Sequence, residues 1–125
     1  MKKSLLEIYA LAVCFVTIIC FAVVLGIGMY DFLEMIKPEL TLKSYQYQKH
    51  QTNEAFTRSW SKKKRRPGEA EITKMREKSY LVALEAERRD AVQSFIRVLI
   101  IMIIDLVIFL VHWRLGKRAR ESISA

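Results

Sequence analysis

The sequence predicts an all-α membrane protein: a two-transmembrane antiparallel helical hairpin with a long helical extramembrane stalk leading into the second span. Three observations carry this expectation. The apolar residues are blocked into two runs rather than spread along the chain, which is not how a soluble core is laid out. Each run is long enough to cross hydrocarbon as a helix. No glycine or proline interrupts residues 69–115, so one helix can pass from a water-facing stretch into the bilayer.

A short basic tail, residues 1–7, carries Lys2 and Lys3. The first span follows over residues 8–30, Ile8 to Tyr30, without a charge, and as a helix it covers about 34 Å. Lysines ahead of an apolar stretch also suit a secretory signal peptide. Signal cores run about 7–15 residues, however, and no small-x-small cleavage site precedes Gly26-Ile27-Gly28, so a retained anchor is expected. Cys14 and Cys20 both lie in this span. Six residues apart on a helix they face different directions, which excludes a bridge between them and leaves them as small packing residues.

Residues 31–40 read as an interfacial segment. Phe32, Leu33 and Ile36 alternate there with Asp31, Glu34 and Lys37, and Pro38 disfavours helical geometry at Lys37. Residues 41–93 read as a hydrophilic, mainly helical extramembrane segment. Between Leu40 and Trp60 it is polar with scattered aromatics, and helix is preferred. Residues 59–68, with Lys62-Lys63-Lys64-Arg65-Arg66 and a Pro-Gly pair, form a basic connector expected to be flexible.

Glu69 and Glu71 then mark a helix start beside the positive end of the helix dipole. On this helix Ile72, Met75, Ser79, Val82 and Ala86 recur at spacings of three and four and form an apolar seam. That seam requires a partner, either the 40–60 segment folded back or a second copy of the helix.

The second span is expected over residues 95–115, with Trp113 and Arg114 at an interface, and a basic tail over residues 116–125. Within this span Asp105 is the most informative residue, because a carboxylate at mid-bilayer costs at least about 2.5–3.5 kcal/mol. Val98, Ile101, Asp105, Ile108 and His112 share one stripe. The facing stripe on the first span is Ala10, Cys14, Thr17, Phe21, Val24 and Gly28, small enough for close approach, with Ala10, Cys14 and Gly28 as helix-packing residues.

In an antiparallel pair Thr17 falls within about 3 Å of the depth of Asp105. Asp105, as a neutral acid, is therefore expected to accept a hydrogen bond from the Thr17 hydroxyl. The competing role is transport: Asp105 with His112 facing a water-filled path or a subunit interface and carrying protons or cations.

A net charge of +8 raises the question of anionic partners. The run Lys62 to Arg66 suits anionic lipid or nucleic acid by charge neutralisation alone. No aromatic interleaving or nucleic-acid fold accompanies it, which makes nucleic acid the weaker of the two and a solvated connector the plainer reading. His50 sits alone in a polar stretch and is expected to be solvated. No metal-ligand spacing, phosphate-binding glycine loop or nucleophile motif is present, so neither metal, cofactor nor enzyme activity is expected.

The lysines of the first tail and Arg114, Lys117, Arg118 and Arg120 of the last place both termini in the cytoplasm. Against this, the segment between the spans carries 14 of the 21 Lys and Arg residues, although long loops translocate largely regardless of charge. The stretches Leu25 to Phe32 and Ile104 to Leu115 resemble the general style of small bacterial inner-membrane sequences, which implies that location. The role expected by elimination is a non-enzymatic accessory or assembly subunit, associating with another membrane protein or with itself as a homo-oligomer. The alternatives are a homo-oligomeric ion or proton conductor using Asp105, and an anionic lipid or nucleic-acid tether through Lys62 to Arg66.

Overall fold

A computed structural model describes residues 4–62 and 65–124. Lys2 and Lys3 of the first tail, and Lys63 and Lys64 of the basic run, lie outside the described residues. The described residues form five helices and no strand: α1 (Leu5–Ile36), α2 (Pro38–Thr41), α3 (Ser44–Lys49), α4 (Asn53–Thr57) and α5 (Glu69–Ser124). Two of these, α1 and α5, are long and apolar enough to cross a membrane.

The start of α1 is set by side-chain chemistry. Ser4 precedes the helix and its Oγ accepts a hydrogen bond from the Glu7 backbone N–H at 3.1 Å. Ser-x-x-Glu is the spacing of a capping box, and the carboxylate sits where the helix dipole is positive. At the other end Lys37 leaves helical geometry, with φ −132° and ψ 72°, and Pro38 opens α2, as the steric demand of a proline on its predecessor requires.

The α4 helix is capped by Thr52, whose side chain accepts from the Ala55 N–H at 3.1 Å. The Gly68 carbonyl, just after Pro67, accepts from Glu71 and Ile72 and so begins α5. That helix does not stop at Leu115. Gly116 lies within it, and the residues expected as a basic tail continue the helix to Ser124. A mid-helix glycine costs about 1 kcal/mol relative to alanine, which packing against α1 offsets here.

Two compact units are present, Met1–Tyr30 with Ser94–Ala125, and Asp31–Gln93. In the first, α1 and α5 meet along a narrow seam. On α1 Leu11 and Val13 are half-buried, and the seam itself consists of the buried or half-buried Glu7, Ala10, Cys14, Thr17, Phe21, Val24 and Gly28. They alternate at three and four residues, a period of 3.5, which is the repeat of two helices packed with a slight left-handed crossing. On α5 the matching set is Val98, Met102, Asp105, Phe109, His112, Gly116 and Ala119.

Contacts descend along α5 as they rise along α1. Arg120 Nε donates to Glu7 Oε1 at 3.1 Å, Gly116 faces Ala10, the Cys14 thiol points to the Phe109 carbonyl at 3.8 Å, and Val98 faces Gly28. The two stretches of helix therefore run in opposite directions within this unit.

The expected α5 stripe is corrected at two positions. Ile101 and Ile108 are exposed, and Met102 and Phe109 occupy the seam instead. Starting at Val98, a step of three to residue 101 and a step of four to residue 102 both look helical. The structure takes four first, because the packed face drifts slowly around a 3.6-residue helix.

In the second unit the buried residues are Asp31, Pro38, His50, Phe56, Ile72 and Ala91. Here α3, α4 and their connections fold back on the first part of α5. The seam expected on α5 is rotated: Ile72 and Ser79 do face inward, but Met75, Val82 and Ala86 are exposed, Val82 to 60 %. Arg76, Tyr80, Ala83 and Glu87 lie on the covered side instead. Two polar contacts select that face. The Arg76 guanidinium donates to the Gln51 carbonyl at 2.7 Å, and Asn53 Nδ2 donates to the Thr73 hydroxyl at 3.0 Å.

Candidate functional site

Most of the apolar surface of the first unit points outward. In the most apolar stretches of α1 and α5 only 17 % and 6 % of residues are buried within the protein. Phe15 is 65 % and Ile103 63 % exposed. A soluble protein rarely exposes a continuous apolar surface of this extent. What the two helices keep between them is the set of small side chains, with Ala10, Cys14 and Gly28 all buried in the seam. A Cβ on Gly28 would lie 3.0 Å from Val98 Cγ1, and one on Gly116 would lie 3.3 Å from Ala10 Cβ. At both places a methyl group would be a tight fit and would require the neighbour to shift by a few tenths of an ångström.

Asp105 and Thr17 share the walls of a cleft of about 200 Å³ with Ile18, Phe21, Leu106 and Phe109. The hydrogen bond expected between the two is not made. Thr17 Oγ1 donates to the Cys14 carbonyl of its own helix at 2.8 Å, the local bond that threonine hydroxyls in helices habitually find. Asp105 is half-buried and has no hydrogen bond or ion pair among the described residues. The rest of the cleft wall is hydrocarbon, apart from the satisfied hydroxyl.

His112 lies on the Asp105 side of α5, two turns further along. Its Nδ1 is 2.8 Å from the Ile108 carbonyl; a carbonyl only accepts, so Nδ1 carries the proton. The ring meets the Tyr9 ring edge-on, with centroids 5.7 Å apart. These contacts orient the imidazole without the help of Asp105. No group of three or more His, Cys, Asp or Glu side chains suited to a metal ion occurs among the described residues.

Of the basic run, Lys62, Arg65 and Arg66 are described, and they line a broad cleft of about 780 Å³ with Trp60, Arg58 and Glu54. Arg66 is paired with Glu69 at 3.0 Å. This pair and a hydrogen bond from Asn53 hold the Glu69 carboxyl below its ordinary range, the Asn53 bond being the larger cause.

His50 is not solvated, contrary to expectation. It is buried, with Nδ1 2.6 Å from the Gln46 carbonyl and Nε2 2.9 Å from Ser79 Oγ. Phe56 and Tyr80 flank the ring at 5.9 and 5.6 Å. The imidazole is the polar pin between α3 and α5. Sequence reading passed over it because a histidine among glutamines and tyrosines carries no periodic signal.

A further arrangement had no signal in sequence at all. Just past the first apolar run, Glu34 faces Glu87 of α5. Burial, a hydrogen bond shared with Glu87, and the charges of Glu87, Asp31 and Asp90 push the Glu34 carboxyl up to about 7. Two helices far apart in the chain thus bring carboxyls face to face, and Glu34 keeps its proton to higher pH than an ordinary carboxyl.

No family model, curated protein or solved structure matches this chain.

Proposed function

We propose that the chain is a two-pass integral membrane protein, a helical hairpin that works by assembling with other membrane-embedded helices, its own copies included, rather than by catalysis. The observation that carries this reading is the outward-facing apolar surface of α1 and α5 around a seam of small residues. Lipid is the solvent in which such a surface is at rest, and backbone groups within a helix are already satisfied there. In this reading residues 41–93 form the extramembrane stalk, and the charges flanking the spans favour cytoplasmic termini in a bacterial inner membrane.

Asp105 directs the assembly. Its carboxyl opens on a cleft walled by apolar side chains and the already bonded Thr17 hydroxyl, and finds no donor among the described residues. An intramembrane carboxyl of that kind is stabilised when another helix supplies a donor. Chemical cross-linking and sedimentation of the detergent-solubilised full chain test this. Wild type is expected to form oligomers or to retain a partner, and Asp105→Leu to shift toward the single hairpin. Equal association of both forms would remove the assembly role of Asp105.

The same cleft favours one rival reading, in which copies of Asp105 line an axis and pass protons or cations. Proteoliposome flux that falls in Asp105→Asn while oligomers persist would support it.

A further inference from the structure

At the end of the first unit opposite to the Gly28–Val98 contact, α5 turns a second set of residues toward a cleft of about 230 Å³. Its lining is Leu11, His112, Trp113, Gly116, Lys117 and Arg120. We propose that this cleft binds the phosphodiester headgroup of an anionic phospholipid, an inference that rests on the membrane reading above.

The placement of the residues matches the layers of a bilayer edge. Trp113 is exposed to 53 % and sits where the apolar run ends, the level at which indole rings anchor. Lys117 follows it by one turn, about 6 Å along the axis, and Arg120 by about 10 Å. Beyond the hydrocarbon boundary a headgroup layer is about 5–7 Å deep. Lys117 therefore stands within that layer and the backbone of Arg120 just beyond it, from where a long side chain leaning toward the helix N-terminus reaches back to phosphate level, while Leu11 and Trp113 offer an apolar wall below. Residues 113, 117 and 120 share one face of α5 at helical spacing.

The cationic groups are held ready. Arg120 donates its Nε–H to the carboxylate of Glu7, a residue that is itself buried. That contact fixes the guanidinium plane and leaves its two terminal nitrogens to meet phosphate oxygens. Lys117 has no hydrogen bond or ion pair among the described residues. Gly116, packed against Ala10, lines the cleft between them. Arg114 and Arg118 raise the local positive potential, so that four cations stand against Glu7 and Glu121.

The test uses the full-length chain with Trp60→Phe, which leaves Trp113 as its one tryptophan. The protein is reconstituted in phosphatidylcholine vesicles, and a minor fraction of lipid with brominated chains is added as phosphatidylglycerol or as phosphatidylcholine. Brominated phosphatidylglycerol is expected to quench Trp113 several-fold more steeply. Lys117→Gln should reduce that preference about fivefold, and Arg120→Gln at least as much. Arg118→Gln removes the same charge outside the cleft and should leave most of the preference intact. Inorganic phosphate in the buffer should not displace the lipid.

Equal losses in Lys117→Gln and Arg118→Gln would reduce the effect to diffuse charge and overturn the site, as would equal quenching by both lipids. Displacement by inorganic phosphate would overturn the lipid assignment in favour of a free-phosphate site. Failure of the membrane reading looks different: no brominated lipid of either kind would then quench Trp113.

Discussion

At the scale of single residues, the polar groups divide into those with internal partners and those without. Thr17 satisfies its hydroxyl inside α1, so Thr17→Val should alter hairpin stability by less than about 1 kcal/mol; denaturant titration in mixed micelles measures it. A loss of several kcal/mol would restore the bond to Asp105 that the sequence suggested. Glu34 behaves differently. Its carboxyl titrates at about 7 in the folded protein against 4.5 ordinarily, so between these values the folded form holds a proton that the unfolded form has released. The resulting stabilisation is complete below pH 4.5 and fades as pH rises through about 7. Thermal unfolding of residues 31–93, followed by circular dichroism, should occur at lower temperature as pH rises across that window. Glu34→Gln, neutral at every pH, should flatten the dependence; an unchanged slope would place its origin elsewhere.

At the scale of elements, the close approach of α1 and α5 depends on residues with nothing to add. Gly28→Val would drive a side chain into Val98, already 3.0 Å from where a Cβ would stand. The expected cost is about 1–3 kcal/mol, the range for overpacked contacts, and disulfide trapping between cysteines placed across the seam would report it. Ala22→Val on the outward face should change little by comparison. The short helices depend on polar pins instead. His50 joins α3 to α5 through two hydrogen bonds, so His50→Ala should destabilise the second unit by about 2–4 kcal/mol. Faster amide hydrogen exchange in α3 and α4, with α1 unaffected, is the expected signature.

For the whole molecule, a single chain builds one unit whose apolar side chains look outward and another that buries Ile72 and Phe56 beside the polar ring of His50. Under the proposed function, lipid is the solvent of the first unit and water that of the second. A reporter active only in the cytoplasm, fused after Ala125, should be active under the proposed orientation and silent under its inverse. Stability of the purified chain in plain buffer without detergent would contradict the lipid solvent itself.

Much of the fold was legible in the order of residues. The two apolar runs, the break at Pro38, the start of α5 at Glu69 and the small-residue stripe of α1 follow from hydropathy, turn chemistry and helical period, which act over a few neighbours. Ser4-x-x-Glu7, with the spacing of a capping box, is equally local in origin.

What the tertiary structure alone decided were the choices that local rules leave degenerate. Whether α5 presents residue 101 or 102, or residue 75 or 76, depends on which face a distant helix covers, since steps of three and four suit a 3.6-residue turn about equally. The continuation of α5 through Gly116, the burial of His50, the Glu34–Glu87 contact and the Glu7–Arg120 pair have the same cause. Each joins groups tens of residues apart, and no short-range pattern in a chain encodes its meeting with itself.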